Sequence, residues 1–300
     1  MKDLTSIQGI GYDQLNHLLH LAKEIKGKRQ KGINFRPLSG KTVITSFPPT
    51  SLRTRVSFET GIFQLGAQSL NMLINFEDKE PVEDKVGYLN NWIDYLVIRH
   101  SEQGMIEKIA GLAGFSVVNA MSSKYHPCEI LADLQTIQEL RGDLASLKFV
   151  FVGEGANISN SWFNAAAKLD LNLTQACPKG YEVEEEIFEY AKAHSKGEVK
   201  ITENIESGLE NADIVLTDGW PVDEHDQEGF NKFKPYTITL EKIKIADKDC
   251  LVNPCPPFTR GQEVAEEVIK SKYFIGYQAK ENLLYMQEAI LASLKPNKTM

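Results

Sequence analysis

Short apolar runs separated by amphipathic helical stretches recur along almost the whole chain, and this alternation limits the fold more than any other feature. Residues 43–47, 69–73, 95–99 and 117–120 read as one set of strands. Residues 149–152, 172–177, 213–218 and 250–255 read as a second. A strand that hands over to a helix before the next strand needs a crossover connection, which favours parallel pairing with helices on both faces. The expected fold class is therefore α/β, with two doubly wound domains, each a parallel sheet flanked by helices.

Helical spacing of Leu15, Leu18, Leu19, Ala22 and Ile25 predicts an opening helix over 13–28. Ile130, Leu131, Leu134 and Ile137 share one face of a helix over 127–140, which separates the two sets of strands. Residues 141–146 read as the crossing into the second half. A last helix, about 279–294, is long enough to pack back on the first domain. The expected boundaries are 1–140 plus about 279–300 for the first domain and 145–275 for the second, linked by two helices. The acidic run 182–186 reads as a solvated helix start.

Composition removes several function classes. The 300 residues are 42% hydrophobic and 25% charged, ordinary for a globular chain, with a formal charge of −8. That balance does not suit a nucleic-acid binder, whereas a small anion can still be held by local positive groups. No run of 18 apolar residues exists, so no membrane span is expected, and the polar residues 1–11 lack a signal-peptide core. Cys128, Cys177, Cys250 and Cys255 are widely spread and form no C-x-x-C pair. Reduced thiols and a cytoplasmic setting are the expectation.

Four stretches concentrate chemistry. Ser46-Phe-Pro-Pro-Thr-Ser-Leu-Arg-Thr-Arg55 follows a strand and opens a helix, where free N–H groups and the helix dipole favour an anion. Thr50 and Ser51 are N-cap types, and the hydroxyls of Ser51 and Thr54 with Arg53 and Arg55 suit a phosphate. His126 precedes Pro127 at a helix entrance, where the dipole disfavours imidazolium and leaves a neutral ring able to donate to a substrate oxygen. Cys255 and Arg260 follow a strand end, where open parallel sheets place ligands. Val152-Gly-Glu-Gly-Ala-Asn-Ile-Ser159 begins like a dinucleotide loop, but Ile158 takes the third glycine's place, so the case for a nicotinamide cofactor is weak. Asn157 could reach a ligand from that loop, and Asp218, at the end of the strand 213–218, is a matching acidic group in the same half. Each stretch also has a plain structural reading: a capped helix with surface arginines, a capping histidine, a proline-stiffened turn, a glycine turn.

Together these stretches resemble the aspartate/ornithine carbamoyltransferase family. Ser51-Leu-Arg-Thr-Arg-Val-Ser-Phe-Glu59 is similar to its S-T-R-T-R…S-F-E signature, and His126-Pro-Cys-Glu-Ile-Leu-Ala-Asp133 to H-P-x-Q-x-L-x-D. Pro254-Cys-Pro-Pro-Phe-Thr-Arg-Gly-Gln-Glu-Val264 is similar to the ornithine branch's H-C-L-P-x-x-R-G-x-E-V. The order and spacing of the three also fit. The resemblance implies an enzyme moving the carbamoyl group from carbamoyl phosphate to the amine of an amino acid, ornithine or one like it. Its alternatives are another acceptor (acylated ornithine, lysine, a diamine) or a silent ligand-binding paralogue. It implies a homotrimer with active sites shared between subunits, with no metal, organic cofactor, nucleic acid or membrane involved.

Carried over, Ser51, Leu52, Arg53 and Thr54 hold the phosphate. Thr54, Arg99 and His126 point at the carbamoyl oxygen, with Arg53, Arg99 and His126 as oxyanion donors. Glu129 stands where a Gln accepts from the carbamoyl NH₂ group, and is expected to be either protonated or paired with a cation. Asn157 and Asp218 face the acceptor, with Asp218 orienting or deprotonating its amine. Cys255, Pro256 and Arg260 line the junction of the two substrates. The chain departs from the pattern at Leu52 and Glu129, and at Pro254 and Pro256, which replace the His and Leu beside the cysteine. In the loop 218–224 the ornithine branch's Ser and Met are missing. The loop 78–84, with Lys79, replaces the K-G-E-S segment that reaches a neighbouring subunit.

Overall fold

In the computed structural model, which describes residues 1–222 and 226–297, every ladder between named strands is parallel. The first elements are α1 (Tyr12–Gln30), β1 (Thr42–Ser46), α2 (Leu52–Gln64), β2 (Gln68–Asn71), α3 (Val82–Leu89), β3 (Tyr95–Arg99), α4 (Gln103–Leu112), β4 (Ser116–Met121) and α5 (Pro127–Arg141). There follow β5 (Lys148–Val152), α6 (Asn157–Leu169), β6 (Asn172–Ala176), α7 (Glu185–His194), β7 (Val199–Thr202), α8 (Ile205–Leu209), β8 (Ile214–Thr217) and α9 (Gln227–Phe233). The chain ends with α10 (Leu240–Ile243), β9 (Leu251–Pro254), α11 (Glu266–Ile269) and α12 (Gly276–Ser293). It divides into two compact units, Met1–Ile137 with Lys280–Met300, and Gln138–Ala279. The division falls inside α5 and inside α12.

The first unit holds a four-stranded sheet of order β2-β1-β3-β4. Chain order leads from β1 outward to β2, then back across to β3 and β4. The reversal lies between β1 and β3, the position where open α/β sheets leave a crevice at their carboxyl ends. Val43, Ile44, Leu96, Val97, Val117 and Val118 are almost fully buried, as near-continuous apolar strands covered on both faces should be. One face packs on α3 and α4 through Val82, Val86, Ile106 and Ile109. Leu4 extends the β4 edge: its N–H donates to the Val117 carbonyl and its carbonyl accepts from Asn119. Of α1, the residues Leu15, Leu18, Leu19, Ala22 and Ile25 are buried, the stripe its spacing predicts.

The second unit holds a five-stranded sheet of order β7-β6-β5-β8-β9, with its reversal between β5 and β8. β7 is absent from the expected strands. Its segment Val199-Lys-Ile-Thr202 is short and half polar because it lies at the edge with one partner. The crossing near 141–146 turns at Gly142 (φ +83°) and a single 3₁₀ turn, Leu144–Ser146. The acidic run enters α7, whose first turn carries Glu185 and Glu186. No helix among the described residues is long and apolar enough to cross a membrane.

Candidate active site

In the first unit, the end of β1, the end of β3 and the start of α5 bring together groups far apart in sequence. Pairing of Ser46 with Ile98 sets the β1–α2 turn beside Arg99. Ser51 is the N-cap residue of α2. Its hydroxyl, however, makes no capping bond and is buried with no hydrogen-bond partner, which corrects the capping expectation and leaves an unspent donor at the helix entrance. The Arg99 guanidinium donates to Thr54 Oγ1 at 2.9 Å and lies 3.2 Å from His126 Nε2. Burial first, then the charges of Arg99 and Lys280, hold the His126 pKa well below the usual imidazole value. The ring is neutral, and beside an always-charged guanidinium its Nε2 is the acceptor.

Arg53 and Leu52 are exposed at the start of α2. Arg55 is spent differently from expectation. Its guanidinium donates to the carbonyls of Phe47 (3.1 Å) and Pro48 (3.0 Å) and to Asn71 (2.8 Å). It therefore fixes the turn that presents Ser51 and is not a ligand in waiting. Of the two states expected for Glu129, buried in the first turn of α5, the structure shows the paired one: its carboxylate meets the Lys280 ammonium of α12. Lys79 is exposed in the 78–84 loop, where Asp78 is bridged by Lys85. Buried Cys128, with its pKa pushed up to about 12 by burial, is inert.

In the second unit, the carboxyl ends of β5, β8 and β9 converge. Thr217 Oγ1 donates to the Val152 carbonyl at 2.6 Å, tying β8 to β5 at the reversal. Pairing of Thr217 with Pro254 then sets Asp218 and Cys255 next to each other, and the Cys255 N–H donates to the Thr217 carbonyl. Cys255 is buried and Pro256 half-buried. Burial pushes Asp218 up to about 6, and Glu263 adds to the rise while the Gly219 N–H opposes it. Glu154 is pushed up to about 7 by burial and by the charge of Asp218. Two carboxylates here titrate near neutrality, a match for a cationic amine. Asn157 begins α6 beside them, half-buried.

Gly155 is a packing glycine. A Cβ there would fall 2.2 Å from the Glu182 carbonyl oxygen and 2.4 Å from the Val183 backbone. Arg260 is exposed: its guanidinium pairs with Glu266 (3.2 Å) and reaches the Tyr277 hydroxyl (3.4 Å). Glu263 follows three residues later. Buried, it accepts from the Trp220 N–H (2.9 Å) and the Thr259 N–H (2.6 Å), bracing the loop after Asp218. Of the altered loop 218–224, Asp223 and Glu224 lie outside the described residues.

Sequence reasoning missed Glu154, Glu263 and Lys280. Glu154 sits inside the quoted glycine loop, a charge between two glycines. Lys280 lies three residues before Leu283 on the apolar stripe of α12, and a charge on such a stripe was the available signal. Among the described residues no cluster of His, Cys, Asp and Glu could hold a metal ion.

Two family models match the chain: the carbamoyl-P binding domain of aspartate/ornithine carbamoyltransferase over residues 2–139, and its Asp/Orn binding domain over 145–294. The ornithine carbamoyltransferase of Geobacter sulfurreducens is 36% identical, over 94% of this chain and 95% of its own length. That of Oceanobacillus iheyensis is 34% identical, over 98% and 94%. The solved ornithine carbamoyltransferase from Pyrococcus furiosus superposes with a TM-score of 0.95 at 31% identity, over 98% and 96%.

Proposed function

The chain belongs to the aspartate/ornithine carbamoyltransferase family, and from that premise we propose that it transfers the carbamoyl group of carbamoyl phosphate to the amine of ornithine, releasing phosphate. The observation that carries this reading is the Arg99–Thr54–His126 constellation beside the unspent Ser51 hydroxyl at the β1/β3 reversal. Ser51, Thr54, Arg53 and the α2 N-terminus hold the phosphate. Arg99 stabilises the oxyanion that forms when the neutral amine attacks the carbamoyl carbon. Neutral His126 orients that guanidinium through Nε2 and adds a dipole to the same region. The new C–N bond forms, the C–O bond to phosphate breaks, and Asp218 takes the proton that the acceptor ammonium must lose. Cys255, held beside Asp218, and Asn157 shape the acceptor end.

The working form is a homotrimer. Its support is an exposed apolar surface on the first unit, where Phe63, Leu73, Tyr88 and Trp92 are each more than half exposed. A second reading, an acceptor other than ornithine, is favoured by one feature of the second unit. A cavity of about 660 Å³ beside Gly219 has apolar walls from Trp220, Val222, Phe230 and Phe258 and polar ones from Gln227, Thr259, Gln262 and Glu263. Its size and mixed lining suit an acceptor that carries a substituent larger than ornithine's bare ammonium. The test is phosphate release from carbamoyl phosphate across ornithine, an acylated ornithine, lysine and a diamine. Fastest release with ornithine supports the first reading. Release only with the acylated amino acid selects the second, and release with none refutes transfer to these amines.

A further inference from the structure

The ion pair between Glu129 and Lys280 has no place yet in the chemistry. Both side chains belong to the first unit and are largely withdrawn from water, Glu129 at 6% exposure and Lys280 at 19%. Charged side chains are seldom buried without a role that offsets their lost hydration. Their surroundings are those of the phosphate half-site. Glu129 lies one helical turn after His126, the field of Lys280 reaches His126, and the field of Arg53 reaches Lys280. A lone carboxylate there would repel the phosphate that Arg53 and Arg99 attract.

Resting on the functional reading above, we propose that Lys280 is a positioning residue of the carbamoyl phosphate half-site. Paired with Glu129, it forms a net-neutral unit whose carboxyl oxygen accepts from the carbamoyl NH₂ group without opposing the phosphate. The neutrality does not depend on where the shared proton rests. Burial and the charge of Arg53 push the Lys280 pKa down to about 7, so below that pH the pair keeps one proton between its two groups. With the proton on nitrogen the unit is an ion pair, and with it on oxygen a hydrogen-bonded amine and acid; both sum to zero. In either state one carboxyl oxygen stays available as an acceptor. Lys280 also orients that oxygen, because α12 is itself fixed. Asn282 accepts from Lys26 of α1 at 2.8 Å and donates to Thr136 of α5 at 2.9 Å.

The experiment is a double-mutant cycle read by calorimetric binding of carbamoyl phosphate to the full-length protein at pH 6, where the pair keeps its proton, using Lys280→Gln, Glu129→Gln and the double variant. Lys280→Gln leaves an uncompensated carboxylate and should weaken binding about tenfold or more. In the double variant two amides replace the pair, still neutral and still hydrogen-bonding, and affinity should return to within about threefold of wild type. A merely structural role predicts no such rescue, because the second substitution would add damage. The proposal is overturned if the double variant binds as weakly as Lys280→Gln, or if Lys280→Gln alone binds like wild type. Should Lys280→Gln not fold, the double variant decides by the same threefold-against-tenfold comparison. Wild-type protein that does not bind carbamoyl phosphate overturns the functional reading and this proposal together. Wild-type binding without rescue overturns this proposal alone.

Discussion

At the scale of single residues, the site works by placing groups where their ordinary behaviour changes. His126 is neutral because burial and two nearby cations oppose a further charge. Replacing it with Ala should lower turnover by about 10²-fold, because Arg99 loses the acceptor that orients it, with a smaller effect on carbamoyl phosphate affinity. Steady-state rates beside calorimetric binding check this, and weakened binding at unchanged turnover contradicts it. Glu154 leads to a different expectation. An acid raised from 4.5 to about 7 in the folded protein holds its proton more tightly than in the unfolded chain. Stability therefore falls as pH rises from about 4 to about 7 and stays lower above. Glu154→Gln should melt higher than wild type at pH 8, with the gap closing at pH 4. A gap of the same size at both pH values contradicts the shift. Legibility at this scale followed chain locality. Thr54 and His126 were readable because each stands at the start of a helix with a recognisable local pattern, whereas Arg99 at the end of β3 came only from the family resemblance. The pairing of Glu129 with Lys280 joins helices some 150 residues apart, and no local pattern encodes it. Arg55 was read as a phosphate-binding group from its place at the helix start, and the carbonyls of Phe47 and Pro48 take its guanidinium instead.

At the scale of elements, α12 is tied into the first unit by buried polar contacts to α1 and α5. Glu288 is fully buried and accepts from Arg29 of α1 through two hydrogen bonds, at 3.0 and 3.2 Å. Gly61 of α2 makes room for it, since a Cβ there would lie 3.1 Å from the Glu288 side chain. Glu288→Ala should cost about 3–5 kcal/mol by stranding Arg29 without its partner, read as a lower denaturant midpoint. A Glu288→Met, Arg29→Met double variant should regain much of that loss, and a double variant less stable than either single would contradict the argument. The amphipathic stripe of α1 was plain in the sequence, as were the buried strands, each displaced by one or two residues at most ends, whereas α5, read as apolar on one face, is buried on every side over Pro127–Ile137. β7 was not, since an edge strand with one partner has little need of an apolar run.

At the scale of the whole molecule, two open parallel sheets, each reversing its strand order once, supply two sets of strand ends for two substrates. One set gathers hydroxyls, guanidinium groups and a neutral imidazole, which the proposed function assigns to the anionic donor. The other gathers two carboxyl groups, which it assigns to the amine. The alternation of strand and helix made this architecture readable, because parallel crossovers leave few other arrangements. The proposed shared-site trimer adds an expectation of its own: specific activity should fall when the protein is diluted until such a trimer dissociates in sedimentation. Full activity in a demonstrated monomer would contradict it. The central claim, that the first unit holds carbamoyl phosphate for transfer to an amine, is tested most directly by supplying carbamoyl phosphate labelled with ¹³C at the carbonyl together with ornithine. The account predicts that the wild-type protein places the label in a ureido carbon on ornithine, seen by NMR, and that Arg53→Ala nearly abolishes this while keeping its fold. Label that appears only in hydrolysis products with wild-type protein, or transfer by Arg53→Ala at the wild-type rate, would contradict it.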